Sequence, residues 1–380
     1  MTTIQELQKQ KEYNANSIKE KDNKVHLLYV SPKFNARGYY RAIVPALELN
    51  KTNTHKALIS SIAQNDFALD FDTNAIVLDE SLIMWSDYII LPTLMDDIRY
   101  LIKAIKSINS EAQIIMDIDK NYFHISKSQA VKEKINPIKI EQLLSNLQQV
   151  DMVSVSDHLI GKKLASYFKE ELEEGTMLIY QQSSLISQFG YEELEVLQKN
   201  ESETVRMGLI KPTEKELLFL KEVLVQMKTL FKEEIEIICF GKPHATKEVD
   251  DLVKELAIEV HPTVSFSKYF ETLNRLKLDI VLLPVKEDHY YDEKTTNIIK
   301  ELAALGIATI ASETSATALF ISDEKTGFLA NDLEEWEIIL EALIKDKALR
   351  KQIGENALKS VWKHHSFTKS SIDDLTSLLI

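Results

Sequence analysis

Short apolar runs rich in β-branched residues alternate with longer amphipathic stretches along this chain, in two series separated by a pause. The first series comprises Val25–Val30, Ala57–Ile62, Ala75–Val77, Tyr88–Leu91, Ile114–Ile118, Met152–Val155 and Met177–Tyr180. Between them lie patterns such as Asp96–Ser107, where Ile98, Leu101, Ile102 and Ile105 share one helical face. Strand, helix and strand at this spacing predict βαβ units and a parallel sheet. Residues 186–204 carry Glu192, Glu193, Glu195, Glu201 and Glu203 with few long apolar residues and read as a connector. The second series has strands at Val205–Ile210, Ile235–Phe240, Ile258–Val260, Ile280–Leu283 and Ala308–Ala311. Its helical patterns are Leu217–Leu230, Val249–Leu256, Tyr269–Leu276, Asn297–Leu305 and Leu333–Ile344, followed by Ala348–Trp362 and a last one from Thr368. A chain of 380 residues exceeds the roughly 250–300 that one core sustains, so two α/β domains in series are expected. In such sheets ligands sit at the carboxyl ends of strands, and between two domains the default site is their cleft.

Composition narrows the chemistry. The balance of 45 Lys+Arg against 59 Asp+Glu, a net charge of −14, argues against duplex nucleic acid, which needs a basic stripe. The lone Cys239 forms neither an internal disulfide nor a thiolate zinc site, which points to a cytoplasmic protein. Nine glycines are about a third of the usual ~7%, and neither G-x-G-x-x-G nor the P-loop pattern occurs. A phosphate bound here is held by something other than a glycine-rich loop. No apolar run reaches the ~18 residues of a membrane span. Residues 1–24 are polar and lack an apolar signal core, so they read as a solvated leader. Lys127, Lys132, Lys134 and Lys139 form a basic cluster that suits either the anionic inner face of a membrane or an ordinary solvated face.

The stretch Leu278–Ser312 carries the chemistry. A buried strand ends at Pro284, and a polar loop follows from Lys286 to Glu293. Thr295 and Thr296 are good N-caps for a helix through Asn297–Leu305 that stops at Gly306. Free backbone N–H groups at that helix start suit an anion without any glycine. Glu293 and Glu301 stand eight apart, one at the mouth of this site and one deeper. A carboxylate accepts from vicinal hydroxyls such as those of a sugar or ribose. The spacing fits equally a solvated loop acid and a helix-surface acid.

The order Asp279-Ile280, Leu282-Leu283-Pro284, Glu293-x7-Glu301, Ala303-Ala304-Leu305-Gly306 and Ile310-Ala311-Ser312 resembles the C-terminal domain of the family 4 type of retaining glycosyltransferases, of the GT-B fold. Thr326-Gly327-Phe328-Leu329 looks like that family's next turn, and Arg350–Val361 like its following helix, so the likeness covers about residues 205–370. The resemblance implies two Rossmann-like, doubly wound parallel-sheet domains facing a central cleft. Their implied bounds are 25–200 for the acceptor and 201–350 for the nucleotide-sugar, with residues 351–380 crossing back to the first. It implies a metal-independent transferase, of hexosyl type, using a UDP-like nucleotide-diphospho-sugar as co-substrate and no other cofactor. The acceptor would be a glycan, a protein or a lipid-linked group. Glu293 would lie by the donor sugar and Glu301 on the ribose. Amides around Thr295, Thr296 and Asn297 would contact the diphosphate, helped by Lys294. The family's Arg after the glycine is Leu209 here. Lys211, Lys215 and Arg206 are the substitutes, or else they belong to a solvated loop.

In the first domain Gly38-Tyr39-Tyr40-Arg41 resembles the loop and helix of divergent members, with Gly38 and Arg41 as phosphate or acceptor contacts or simply a turn. Asp117-Ile118-Asp119 and His124 resemble a cleft-lining segment, with Asp119 and His124 near the reacting sugar. Ser154-Val155-Ser156-Asp157 resembles a cleft-lining strand end. The departures from the family pattern leave open a degenerate protein that binds or stabilises a partner.

Overall fold

The computed structural model describes residues 21–30, 35–60, 69–70, 75–76, 80–125, 130–131, 134–188, 191, 200–241, 246–284 and 293–379. These fall into two compact units, one from Met1–Gly190 with Phe367–Ile380, the other from Tyr191–Asp288 with Asp292–Ser366.

In the first unit β1 (Val25–Val30), β2 (His55–Ser60), β5 (Tyr88–Pro92), β6 (Gln113–Ile118), β7 (Met152–Val155) and β8 (Leu178–Gln181) form one parallel sheet. Its order is β2-β1-β5-β6-β7-β8. The expected strand Ala75–Val77 does not join it. Instead β3 (Leu69–Asp70) and β4 (Ala75–Ile76) pair with each other, antiparallel, because a run this short finds its partner in the neighbouring turn. β2 begins two residues earlier than the apolar pattern suggests, since His55 is buried despite its polarity. Ile89, Ile114, Met116 and Val153 are fully covered, as strands flanked by helices on both faces require.

The second unit holds β9 (Val205–Ile210), β10 (Ile235–Phe240), β11 (Glu259–His261), β12 (Ile280–Leu283), β13 (Ala308–Ser312) and β14 (Phe328–Ala330), all parallel, in the order β11-β10-β9-β12-β13-β14. Phe328–Ala330, expected as a turn, is thus an edge strand. The expected helix Leu217–Leu230 is two helices, Glu214–Phe219 and Lys221–Phe231, because Leu220 leaves helical geometry at ψ 2°. Thr213 and Glu216 form a capping box that starts the first of them.

The chain changes unit between Ser366 and Phe367. The Lys347–His364 helix packs on the Glu293–Ala304 helix and on β13. Phe367 then donates its N–H to the carbonyl of Ile186 (2.9 Å), and the Lys369–Ser377 helix packs on the Val44–Leu49 helix of the first unit. Lys21, expected in the solvated leader, pairs with Asp87 at 2.6 Å.

His365 ends the long helix, half-buried beside Lys300, with its ring 5.0 Å from that of Phe320. Burial first, then the charges of Lys300 and His364, pull its pKa down to about 4. An unfolded imidazole titrates near 6.5, so the native state favours the neutral ring. That contribution is complete above about pH 6.5 and is lost as pH falls toward 4. Urea midpoints of the second unit are therefore expected to drop across this window. The drop should be smaller in His365→Gln; an identical pH profile in the variant would contradict the assignment.

Candidate functional site

In an open parallel sheet, ligands bind where the strand order reverses, outside the carboxyl ends. In the second unit that point lies between β9 and β12. A pocket opens there, lined by Ile210 and Lys211 at the end of β9, by Leu283 and Pro284 at the end of β12, and by Thr295 and Ile298 of the Glu293–Ala304 helix. Lys211 has left-handed backbone geometry, φ 47°, which is costly for a residue with a Cβ. Its N–H donates to the carbonyl of Phe240 (2.7 Å). Gly241, at φ +84°, faces it, and a Cβ there would lie 2.9 Å from Lys211 Cγ. Backbone strain of this kind persists only where the surroundings over-determine it, and it concentrates at functional sites.

The helix beside Lys211 begins at Glu293, not at Thr295–Thr296. Glu in the first turn is favoured by the helix dipole, and it extends the helix back through residues expected in the loop. Thr295 and Thr296 are therefore first-turn residues rather than caps. The amides lacking an intrahelical acceptor are those of Glu293, Lys294 and Thr295, two residues earlier than expected. Thr296 and Asn297 are buried, and Asn297 Oδ1 has no hydrogen-bond partner among the described residues. The side chains of Glu293 and Lys294 lie outside the described residues.

Glu301 is only 3% exposed, which excludes the reading of a surface acid. Its Oε2 accepts from the hydroxyl of Tyr269 at 2.9 Å. The ring of Tyr269 in turn lies 4.3 Å from the ammonium of Lys211. Burial, followed by the charge of Glu301, pushes the phenol pKa well up, so Tyr269 stays a donor. Tyr269 escapes a sequence reading because at helical spacing it looks like one more core aromatic. Gly241, directly after a strand, was the available signal for the turn that holds Lys211.

The other expected cations are placed differently. Arg206 lies at the amino end of β9, and its guanidinium binds Glu236 (2.6 Å) and the carbonyl of Leu276 (3.0 Å). Lys215 is exposed on the Glu214–Phe219 helix. Leu209 is fully buried within β9 and pairs with Cys239 and Leu282, so no guanidinium would fit at that position. Lys211 is the first residue past that strand.

In the first unit, two Arg–Asp pairs clamp the segment after β1 onto β6. Arg37 and Arg41, four apart, follow β1. Asp117 and Asp119, two apart, share one face at the end of β6. Arg41 is buried and donates to both oxygens of Asp117, with Nε at 2.9 Å, and to the carbonyl of Gln182; Ser154 also donates to Asp117. Arg41 is thus engaged in the core by Asp117 and Gln182. Asp119, 2% exposed, accepts from Tyr122 (3.0 Å) and Thr93 (3.1 Å) and forms an ion pair with Arg37 (2.8 Å). It orients protein groups rather than presenting an open carboxylate. Gly38 is helical, with φ −57°, and its N–H is taken by Asn35 Oδ1 at 3.0 Å, so no glycine turn offers an amide there. Ser156 donates to the carbonyl of Asp119 (3.1 Å), and Asp157 caps the His158–Tyr167 helix. The His124 side chain, Lys127 and Lys132 lie outside the described residues, and Lys139 is paired with Asp96. Among the described residues no three His, Cys, Asp or Glu side chains converge as metal ligands, and no helix is long and apolar enough to cross a membrane.

Residues 218–371, which include Leu283, Pro284, Thr295 and Ile298 of the pocket but not Lys211, match the family model described as glycosyl transferase-like. No curated protein matches the chain. Among solved structures, the chain is similar to a TarM mutant from S. aureus in complex with fondaparinux, alpha-GlcNAc-glycerol and UDP. The two are 14% identical with a TM-score of 0.54, over 82% of this chain and 64% of TarM. It is similar to a glycosyltransferase from Rickettsia africae at 16% identity and TM-score 0.56, over 94% of this chain and 98% of that one. HepE from Anabaena in complex with UDP and glucose is 10% identical with a TM-score of 0.57, over 93% and 99%. The chain thus spans less than two thirds of TarM's own length. At these identities the likeness establishes the fold. The chain is an α/β protein of the GT-B class, with two six-stranded, Rossmann-like parallel sheets.

Proposed function

We propose that this chain is a glycosyltransferase that takes a sugar from a UDP-type nucleotide-diphospho-sugar and passes it to a glycan acceptor. One observation carries the reading. At the strand-order reversal of the second sheet, a strained lysine and the first turn of a helix line the same pocket, and that helix lies within residues 218–371, which match the glycosyl transferase-like model. A departing nucleoside diphosphate carries two to three negative charges and needs such a cradle. UDP in the TarM and HepE structures supports the choice of base, and their glucose and alpha-GlcNAc-glycerol support a glycan acceptor.

In this reading Lys211 and the amides of Glu293–Thr295 stabilise the leaving diphosphate without a metal. Glu301 accepts from the ribose hydroxyls, and Glu293 lies by the donor sugar. Transfer is retaining: a diphosphate oxygen takes the acceptor proton on the face it leaves, while the sugar passes through an oxocarbenium-like species. His124 and Asp119 are assigned to the reacting sugar, Asp119 also orienting Arg37 and Tyr122. The protein works in the cytoplasm.

The test is UDP release from a panel of UDP-sugars with a glycan acceptor. Lys211→Ala is expected to lower kcat by about 10²–10³, the usual cost of removing one charge-stabilising donor. Glu293→Ala and Glu301→Ala are expected to abolish release. Full activity in both glutamate variants would sink the site. The engagement of buried Arg41 and of half-buried Arg206 in ion pairs favours one rival, a degenerate protein that stabilises a partner. It would be indicated by the absence of any melting-temperature shift with UDP or UDP-sugars.

A further inference from the structure

Tyr269 connects two groups that the proposed function uses separately. Its hydroxyl is 2.9 Å from Glu301 Oε2, and its ring centroid is 4.3 Å from Lys211 Nζ. The aromatic neighbours are Phe240, Phe266 and Phe270. The planes of Phe240 and Phe266 lie within 17° and 9° of the Tyr269 plane, with centroids 5.7 and 6.0 Å away, so the stack fixes the ring. None of these three carries a hydroxyl. Packing alone would be served by a fourth phenylalanine, which would also spare the cost of burying a phenol. The hydroxyl is accounted for by Glu301. The stack is also tied to the lysine's backbone, because Phe240 supplies the carbonyl that receives the Lys211 N–H.

We infer that Tyr269 is a positioning residue for the nucleoside diphosphate, holding Glu301 for the ribose with its hydroxyl and Lys211 for the diphosphate with its ring. The inference rests on the functional reading above. Donation to Oε2 fixes the plane of the carboxylate and so aims Oε1 at a vicinal diol. The negative ring face fixes where a flexible four-carbon ammonium sits, lowering the entropy lost when a phosphate arrives. The two functions of the ring are separable by substitution.

The experiment is calorimetric titration of the full chain with UDP and, separately, with pyrophosphate, which lacks the ribose. Tyr269→Phe keeps the ring and loses the hydroxyl. It is expected to weaken UDP about 10-fold, the scale of a hydrogen bond to a charged group, and to leave pyrophosphate unchanged. Tyr269→Leu loses both and is expected to weaken pyrophosphate several-fold as well. Lys211→Met reproduces the pyrophosphate loss without touching the aromatic stack, should the leucine variant fail to fold. With a UDP-sugar, Tyr269→Phe raises KM with kcat near wild type, a split that general destabilisation does not produce. Unchanged UDP affinity in Tyr269→Phe, or equal losses for UDP and pyrophosphate, overturns the inference while the site stands. A wild-type chain that binds neither ligand overturns the functional reading and this inference together.

Discussion

Asp117→Ala is expected to destabilise the first unit by about 3–5 kcal/mol, the cost of leaving a buried charge without its partner. Arg41 is 5% exposed and Asp117 5% exposed, so neither reaches water when the other is removed. The substitution strands the guanidinium and leaves the Ser154 hydroxyl without an acceptor it now uses. Against a typical total of 5–15 kcal/mol, this is a large fraction. Trp85 lies in the first unit and Trp336 and Trp362 in the second, so fluorescence of single-tryptophan variants in urea assigns the loss to a unit. The double variant Arg41→Met with Asp117→Leu is expected to recover much of the stability, because an apolar pair removes both desolvation costs. A loss under about 1 kcal/mol for Asp117→Ala alone would mean that the pair is not buried as described.

Gly354→Ala is expected to cost about 3 kcal/mol or more, although Gly to Ala inside a helix ordinarily gains up to ~1 kcal/mol. The reversal of sign has a steric cause. A Cβ at residue 354 would lie 2.1 Å from the carbonyl oxygen of Gly306 and 2.9 Å from its carbon. These are backbone atoms at the turn that ends the Glu293–Ala304 helix, with Gly306 at φ 65°, and they have no rotamer into which to retreat. Relief requires moving one of the two helices, and the one ending at Gly306 carries Thr295 and Glu301. Gly161→Ala is the internal control. It also lies within a helix, but its Cβ would meet Val155 Cγ2 at an ordinary 3.4 Å, so a neutral or stabilising effect is expected. Chemical denaturation of both variants checks the pair, and a neutral Gly354→Ala would refute the close approach.

Most of the two sheets was legible in the sequence because fully buried strands are written as apolar runs. Val25–Val30, Met152–Val155, Val205–Ile210, Ile235–Phe240 and Ile280–Leu283 stand where their runs stand. Elements failed where the local signal was short or where polar residues were recruited. Ala75–Val77 had too few residues to claim a place in the sheet, and His55 and Glu293 entered regular structure although their side chains read as loop. In the candidate site, Lys211, Thr295 and Glu301 were identifiable from a strand end, a helix start and an acid spacing. Tyr269 was not, because its importance lies in what it touches. Arg41 and Arg206 read as available cations, and only their partners, Asp117 and Glu236, show that they are engaged.

By itself the sequence determined the class of architecture. Hydrophobic periodicity is a local property, and alternating strand and helix patterns in two series admit little besides two parallel sheets. It also determined that any diphosphate here is held without a glycine-rich loop, since nine glycines leave none to build one. The tertiary structure decided which charged groups remain for a ligand and which are consumed by the fold. That decision depends on pairs far apart in the chain, such as Arg41 with Asp117 and Tyr269 with Glu301, 76 and 32 residues distant. An ion pair or a hydrogen bond forms only within a few ångströms, and no spacing along a strand or helix encodes the approach of two elements that meet only when the sheet is complete.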